Sequence, residues 1–432
     1  MERFTAGNDR AMDLYLARFD VLGSLAHLDM LGRTGLLGAD ELPPLRRELR
    51  RMYDAALAGQ FVLEEGVEDV HSQVELLLTR ACGDAGKKIH TGRSRNDQVL
   101  VDLKLFFRAE IAGVAHTVRA FFELLQHLSE RYKDEGLPGY THFQVAMPSS
   151  FGLWLGAYAE SLVEDLLSLQ AAYRLANKNP LGSAAGYGSS FPLDRDLTTA
   201  LLGFEAPHVN AIAAQLARGK TERAVAQALA NLAATLSKLA YDACLFMSQN
   251  FGFIQFPDHL TTGSSIMPHK KNPDVFELVR ARCNALQALP NEIALVTSNL
   301  PSGYHRDFQL LKEKLFPAFG TLRDCFDMMG LMLSNMQVRA GILDDPQYRL
   351  VFTVEEVNRL VQSGVPFRDA YKQVGRSVED DSFVAGEPLP HTHLGSIGHL
   401  GTARIAAAME ALWEDFGFAV VEAAEARLLA EG

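Results

Sequence analysis

The sequence predicts an all-α protein of three domains, with five long helices bundled at its centre. Three observations carry that reading. Apolar residues recur in alternating steps of four and three at Phe107, Ile111, Val114, Val118, Phe121, Leu125, Leu128 and Tyr132, the period of a seam packed against near-parallel helices. Strand-like alternation is nearly absent. The stretches rich in glycine, proline and serine fall between long helical patterns rather than inside them.

Residues 1–96 read as an N-terminal helical domain of short helices, punctuated by Gly32, Gly35, Gly38, Pro43, Pro44 and Gly59. Asp20-Val-Leu-Gly-Ser-Leu-Ala-His27 opens one of them, and spacing alone makes Ser24 and His27 ordinary helix-surface polarity. Lys87-Lys-Ile-His-Thr-Gly-Arg-Ser-Arg-Asn-Asp-Gln98 follows, with four cations just ahead of a helix. Taken alone it is a solvated basic turn, or a holder of carboxylate or phosphate.

The central domain, 97–345, begins with a helix from Asp97 to about Asp134, roughly 57 Å long at about 1.5 Å per residue. Its partners are patterns near 148–178, 209–251, 273–297 and 304–339, closed by Gly341 and the Asp344-Asp-Pro346 turn. Such wide apolar faces predict burial in an oligomer, a multi-helix core. Residues 346–432 read as a small helical domain with helices near 353–362, 367–376 and 402–429. His391 and His393 lack a third ligand at metal spacing and read as polar loop residues.

Three linking loops carry most of the chemistry-bearing residues. Gly139–Pro148 sets Thr141 beside His142, and Asn179–Ser190 is a glycine- and serine-rich turn. The third is Thr261-Thr-Gly-Ser-Ser-Ile-Met-Pro-His-Lys-Lys-Asn-Pro-Asp274. Pro268 and Pro273 forbid helix through it. Asn272 is expected to cap the next helix, with Pro273 in its first position and Asp274 in its first turn.

Composition bounds the function. The 432 residues are 48% hydrophobic and 22% charged, with a formal charge of −12, which argues against a general nucleic-acid binder and leaves small anions possible. Cys82, Cys244, Cys283 and Cys325 lie far apart, so reduced thiols are expected, with neither a zinc site nor a disulfide framework. No signal-peptide pattern and no membrane-length apolar run is present. A cytoplasmic protein with no cofactor and no metal, contacting neither nucleic acid nor membrane, is the expectation.

The 261–274 loop resembles the Gly-Ser-Ser-x-Met-Pro-x-Lys-x-Asn-Pro signature of the fumarase and aspartase superfamily. Asp20–His27, Thr91-Gly-Arg-Ser-Arg-Asn-Asp-Gln98, Gly139-Tyr-Thr-His142 and Leu300-Pro-Ser-Gly-Tyr-His-Arg-Asp-Phe-Gln-Leu-Leu-Lys312 are similar to the argininosuccinate lyase family in particular. The resemblance implies reversible β-elimination of argininosuccinate to fumarate and arginine. It makes Ser264 and His142 the catalytic pair, and Lys270 and Asn272 the ligands of the succinyl carboxylates. By the same resemblance Ser24, Asn96, Thr141, Tyr304, Gln309 and Lys312 contact argininosuccinate, while Arg93, Ser94 and Arg95 line its carboxylate end. It further implies a homotetramer whose active sites each collect segments from three chains.

The weak carbon acid sets the requirement. Proton removal piles charge onto the neighbouring carboxylate, so a base and fixed donors must coincide. A serine hydroxyl serves as base only if amides and Lys270 stabilise its alkoxide. Two assignments remain open: Ser264 as base with His142 as relay, or His142 as acceptor with Ser264 as donor. His305 stands where the family has asparagine, Val145-Ala-Met147 replaces small or polar residues, and the lead-in before Arg3-Phe4 is short. Tyr304 and Gln309 do not share a helical face, so part of that stretch is expected to be loop. Adenylosuccinate lyase, which needs a nucleotide phosphate site, and a non-catalytic structural relative are the alternatives.

Overall fold

The computed structural model describes residues 4, 5 and 7–430; Arg3 and the extreme ends of the outer domains lie outside them. The N-terminal part holds α1 (Asp9–Asp13), α2 (Ala17–Arg33), α3 (Leu42–Leu57) and α4 (Val70–Cys82). Asp69 starts α4, its carboxylate accepting from Ser72 N at 2.8 Å. Ser24 and His27 are both 0% exposed, which corrects their reading as surface polarity. Asp20, Gly23, Ser24 and His27 fall at i, i+3, i+4 and i+7, a single helical face. A Cβ on Gly23 would lie 3.1 Å from Val101 Cγ1, so glycine lets α2 approach the long helix that follows.

That helix, α5 (Arg95–Arg131), spans 37 residues. It packs with α6 (Phe151–Ala176), α7 (Lys220–Met247), α8 (Asp274–Leu286), α9 (Leu289–Val296) and α10 (Leu310–Ser334). The 209–251 pattern divides: a short Ala211–Leu216 helix stops and α7 restarts after Gly219. Gly219 has φ +76, and a Cβ there would sit 2.9 Å from Thr297 Cγ2. The 273–297 pattern divides too, with Pro290 in the first turn of α9. Phe106 of α5 packs on α10, its ring centroid 4.2 Å from that of Phe316 and 5.8 Å from that of Phe319, the latter edge-on. Truncating such a ring to alanine costs about 3–5 kcal/mol.

Polar locks fix how the helices run. At one end of the bundle Tyr132 OH donates to Met336 O at 3.2 Å, Ser129 Oγ to Gly152 O at 2.7 Å, and Trp154 Nε1 to Asp242 Oδ2 at 3.0 Å. At the other, Lys104 Nζ donates to Leu175 O at 2.6 Å and to Thr221 Oγ1 at 2.7 Å. Burial pulls Lys104 down to about 8. α5, α7 and α10 therefore run from the Lys104 end to the Tyr132 end, and α6 and α8–α9 run back.

The all-α architecture carries a few short strands, the longest of them in one hairpin. β1 (Gly136–Thr141) and β2 (Gln144–Ser150) form an antiparallel hairpin with Thr141 opposite Gln144. Gly139 is required there, since a Cβ would meet Met147 O at 2.9 Å. The C-terminal part contains α11 (Thr353–Gln362), α12 (Phe367–Glu379), α13 (Thr402–Phe416) and α14 (Phe418–Ala430). Gly417, at φ +66, splits the expected 402–429 helix. Val357, Ala370, Val374 and Phe383 form a small separate core, whereas Met409, Leu412, Phe416 and Phe418 join the main one. Among the described residues no helix is long and apolar enough to cross a membrane.

Candidate active site

At the Lys104 end the start of α5 is over-determined. Ser94 Oγ accepts from Asn96 N at 3.3 Å while Asp97 Oδ1 accepts from Ser94 N at 2.9 Å, a reciprocal cap. The other Asp97 oxygen accepts from Gly182 N at 3.0 Å and Ala184 N at 2.9 Å, and Asn96 Nδ2 donates to Ala185 O at 3.3 Å. The 179–190 loop is thereby tied to the first turn of α5. Burial pushes Asp97 up to about 6, against the pull of its three amide donors.

Around that turn the cations are already engaged. Arg93 Nη1 donates to Ser24 Oγ at 3.0 Å and its Nε to Ile89 O at 3.1 Å. Arg95 is exposed and donates to Glu68 Oε2 at 2.8 Å and Ser72 Oγ at 2.7 Å. Lys312 is buried with its Nζ 2.5 Å from both Asp9 and Asp13. Burial opposes its charge, but the two carboxylates outweigh burial and hold the ammonium above its ordinary value. Tyr304 lies in a loop and Arg306–Gln309 is a single 3₁₀ turn, as the mismatch of their spacing with a helical face predicts. Gln309 Nε2 donates to Thr5 O at 3.1 Å.

These residues share walls. Asn96, Tyr304, Gln309 and Lys312 line one cavity of about 190 Å³ with Asp9, Asp13 and His71. Arg93, Ser94, Arg95 and Asn96 line an adjoining one of about 510 Å³, also with His71. Sequence reasoning missed His71, Asp9, Asp13 and Asp102. Their one local signal is Asp69 capping α4 two residues ahead of His71. Among the described residues Asp20, His71 and Asp102 are the cluster whose ligand-type atoms lie within 4.8 Å of one another.

The Tyr132 end looks different. His142 and Phe143 form the hairpin tip with φ +54 and +57, a left-handed pair in which non-glycine residues are strained. Strain of that kind collects at functional sites. Thr141, His142 and Phe143 are all exposed. In the 261–274 loop Thr262 pairs with Asn272 and Gly263 with Lys271. Asn272 does not cap α8, because it is held in that ladder with its Nδ2 donating to Thr262 Oγ1 at 3.3 Å; Pro273 stands at the cap position instead. Ser264 Oγ accepts from Ile266 N at 3.2 Å and Met267 N at 3.0 Å. Two backbone dipoles thus aim at the one oxygen that would carry an alkoxide.

Within one chain the two sets stay apart. α5, with 37 residues, rises about 55 Å between them. Ser24, Arg93, Ser94, Arg95, Asn96, Tyr304, Gln309 and Lys312 gather at the Lys104 end. Thr141, His142, Ser264, Lys270 and Asn272 gather at the Tyr132 end, on two separate loops.

Comparison with known proteins adds the family. A lyase family model matches residues 41–287. The argininosuccinate lyase of Parabacteroides distasonis is 61% identical over 426 residues, covering 99% of this chain and 96% of that relative. The argininosuccinate lyase of Stenotrophomonas maltophilia is 42% identical over 376 residues, covering 86% of each. Among solved structures, an EDDS lyase in complex with formate superposes with a TM-score of 0.78 over 97% of this chain and 91% of that one, at 23% identity, and shows the fold.

Proposed function

We propose, from the premise that the chain belongs to the argininosuccinate lyase family, that it catalyses the reversible β-elimination of argininosuccinate to fumarate and L-arginine in arginine biosynthesis. The observation that carries the chemistry is the Ser264 oxygen held by two backbone amides. Those donors lower the cost of an alkoxide, which makes Ser264 the base that takes the succinyl proton. The electron pair left on carbon spreads into the adjacent carboxylate, which Lys270 and Asn272 bind. Cleavage of the carbon–nitrogen bond then gives fumarate, and the departing guanidino nitrogen regains a proton through His142. Thr141 and the contacts at the Lys104 end, Ser24, Arg93, Ser94, Arg95, Asn96, Tyr304, Gln309 and Lys312, hold the rest of the substrate. Proton transfer and charge stabilisation suffice, so the reaction needs no added metal or nucleotide.

The same reading makes the protein a cytoplasmic homotetramer. Its two half-sites lie a bundle length apart, so a complete site needs the Lys104 end of one chain beside the Tyr132 end of others. Exposed Phe143, Val145 and Met147 at the hairpin, and exposed Leu167, Leu278, Leu295 and Leu331 along the bundle, support such burial. The division into residues 1–96, 97–345 and 346–432 belongs to this proposal, with the central part as the assembling one. A side-by-side assay tests it: fumarate absorbance should rise with argininosuccinate and stay flat with adenylosuccinate. The reverse result assigns the runner-up substrate, and silence with both assigns a structural protein.

A further inference from the structure

Beneath the Lys104-end cavities lies a charged layer that the reaction above leaves unused. Asp20 from α2, His71 from α4 and Asp102 from α5 are all buried. His71 Nδ1 is hydrogen-bonded to Asp20 Oδ2 and lies 3.6 Å from Asp102 Oδ2. Neither Asp102 oxygen, nor Asp20 Oδ1, has a conventional hydrogen-bond donor. One oxygen of each carboxyl nevertheless lies within 4.8 Å of the other and of a His71 ring nitrogen. Gly23 lets α2 close on α5 beside this pair, because a Cβ there would lie 3.1 Å from Cγ1 of Val101, the neighbour of Asp102.

Two carboxylates this close, both dry and both ionised, would repel while leaving lone pairs without donors. A single proton between them eases both problems at once. It neutralises one charge and supplies the missing donor to the facing oxygen, as in carboxyl pairs that cannot both ionise. The remaining charge faces cations on either side. His71, on α4, donates from Nδ1 to Asp20 Oδ2, and Arg93, just ahead of α5, sits in the field of Asp20, Asp97 and Asp102. Asp13, from α1, adds negative charge but is itself paired with Lys312 of α10.

We propose that Asp20 and Asp102 form a proton-sharing carboxyl pair that positions His71 and Arg93, and through Arg93 the Ser24 hydroxyl, under the substrate cavity. Burial, then the Asp20 and Asp13 charges, push the Asp102 carboxyl well above the usual carboxylate range, which fits that state. Burial pulls His71 down, but Asp20, Asp69 and Asp13 together hold it above its ordinary value, which fits an imidazolium against the remaining charge. A divalent cation on the same three side chains is the competing occupant. It is disfavoured because His71 Nδ1 is already engaged by Asp20 and the Arg93 guanidinium faces the same carboxylates.

The kinetic part of the test rests on the argininosuccinate reading; the spectroscopic part does not. Infrared difference spectra of the unaltered tetramer at neutral pH should contain a carboxylic-acid carbonyl band that titrates away only under alkaline conditions and is missing in Asp102→Asn. In turnover, KM for argininosuccinate should rise in the unaltered enzyme as that proton is lost, and Asp102→Asn, whose amide mimics the neutral acid, should not show this alkaline rise. Asp20→Asn, which takes away the acceptor of His71, should raise KM about tenfold or more at neutral pH, whereas Asp102→Asn should raise it less than about threefold. The proposal is overturned if the band is absent from the unaltered protein. Stoichiometric metal in purified tetramer that disappears in Asp102→Asn overturns it as well, and so does equal damage to KM by both substitutions. Because the band is read on the unaltered protein, it decides the matter even where a variant fails to fold.

Discussion

The two ends of the bundle solve opposite problems. At the Lys104 end, eight of the residues assigned to the substrate sit on helices and loops cross-tied by buried charges: Lys312 between Asp9 and Asp13, Asp97 under the 182–184 amides, Arg93 against Ser24. At the Tyr132 end, Thr141, His142 and Ser264 sit on exposed tips whose internal bonds are short-range, such as Ser264 Oγ to the amides two and three residues on. One end is organised by its own chain. The other is shaped locally, with its outward face open. The split suits an enzyme in which recognition is built before assembly and proton transfer is completed by it.

The largest expected effect breaks the Tyr132 end alone. Ser264→Ala removes the oxygen on which the two amides converge, and fumarate release should fall by about 10³-fold, inside the range for loss of a general base. Its thermal melt and tetramer mass should not change, since Ser264 bonds only to its own loop. Co-expressing Ser264→Ala with Asn96→Ala should then restore measurable activity where each alone has almost none. A mixed tetramer can place an intact Tyr132 end beside an intact Lys104 end. If mixed tetramers form but stay inactive, the two ends belong to one site in a single chain, and the comparison fails.

Breaking the Lys104 end should look different, because its residues hold the fold as well as the substrate. Lys312→Met strips the cation from Asp9 and Asp13, and removing one partner of a buried pair costs about 3–5 kcal/mol. Denaturant unfolding should show that loss, in contrast with the unaltered stability of Ser264→Ala. A loss below about 1 kcal/mol would mean that water reaches the pair and that the end is less tightly built than its burial implies.

A smaller effect sharpens the same contrast through pH. Burial, with Arg93 nearby, holds His27 well below its ordinary value; its Nε2–H donates to Thr91 O at 2.9 Å in the neutral ring. The unfolded chain takes up a proton below about pH 6.5, whereas the folded chain does not. More protons bound in the unfolded state means that stability falls as pH falls, by about 1.4 kcal/mol per unit below that point. His27→Gln keeps a donor for Thr91 and should flatten that part of the stability profile, as read by melts from pH 7 to 5. An unchanged slope would assign the acid sensitivity to other groups.

How much of this was legible in the sequence follows the same division. The long helices were, because Phe107 to Tyr132 keeps its step pattern over a whole seam; their breaks at Gly219 and Pro290 were not, because periodicity continues across a break that tertiary crowding imposes. The hairpin was illegible since Gly136-Leu-Pro-Gly-Tyr-Thr141 offers no apolar alternation, and its pairing depends on the close approach of Gly139 to Met147. Ser264 stood out through the glycine and prolines of its loop. The buried charges did not. Asp20, His71 and Asp102 look in sequence like any polar helix residue, and only the packing of α2, α4 and α5 brings them together.

The smallest expected effect concerns the loop at the Lys104 end that carries Tyr304. His305, which the resemblance sets where the family has asparagine, is half-buried, and its Nε2 is hydrogen-bonded to Pro301 O at 3.1 Å, within its own loop. Its ring centroid lies 6.4 Å from that of Phe308, so it braces the loop that carries Tyr304 rather than facing the cavity. An asparagine amide can donate to the same carbonyl from a shorter side chain. His305→Asn should therefore change KM for argininosuccinate by less than about threefold and leave kcat alone, the pattern of a small adjustment in uniform binding. A change in kcat would mean that the loop bearing Tyr304 moves between substrate binding and proton transfer, and that the Lys104 end is less completely organised by its own chain than its buried charges imply.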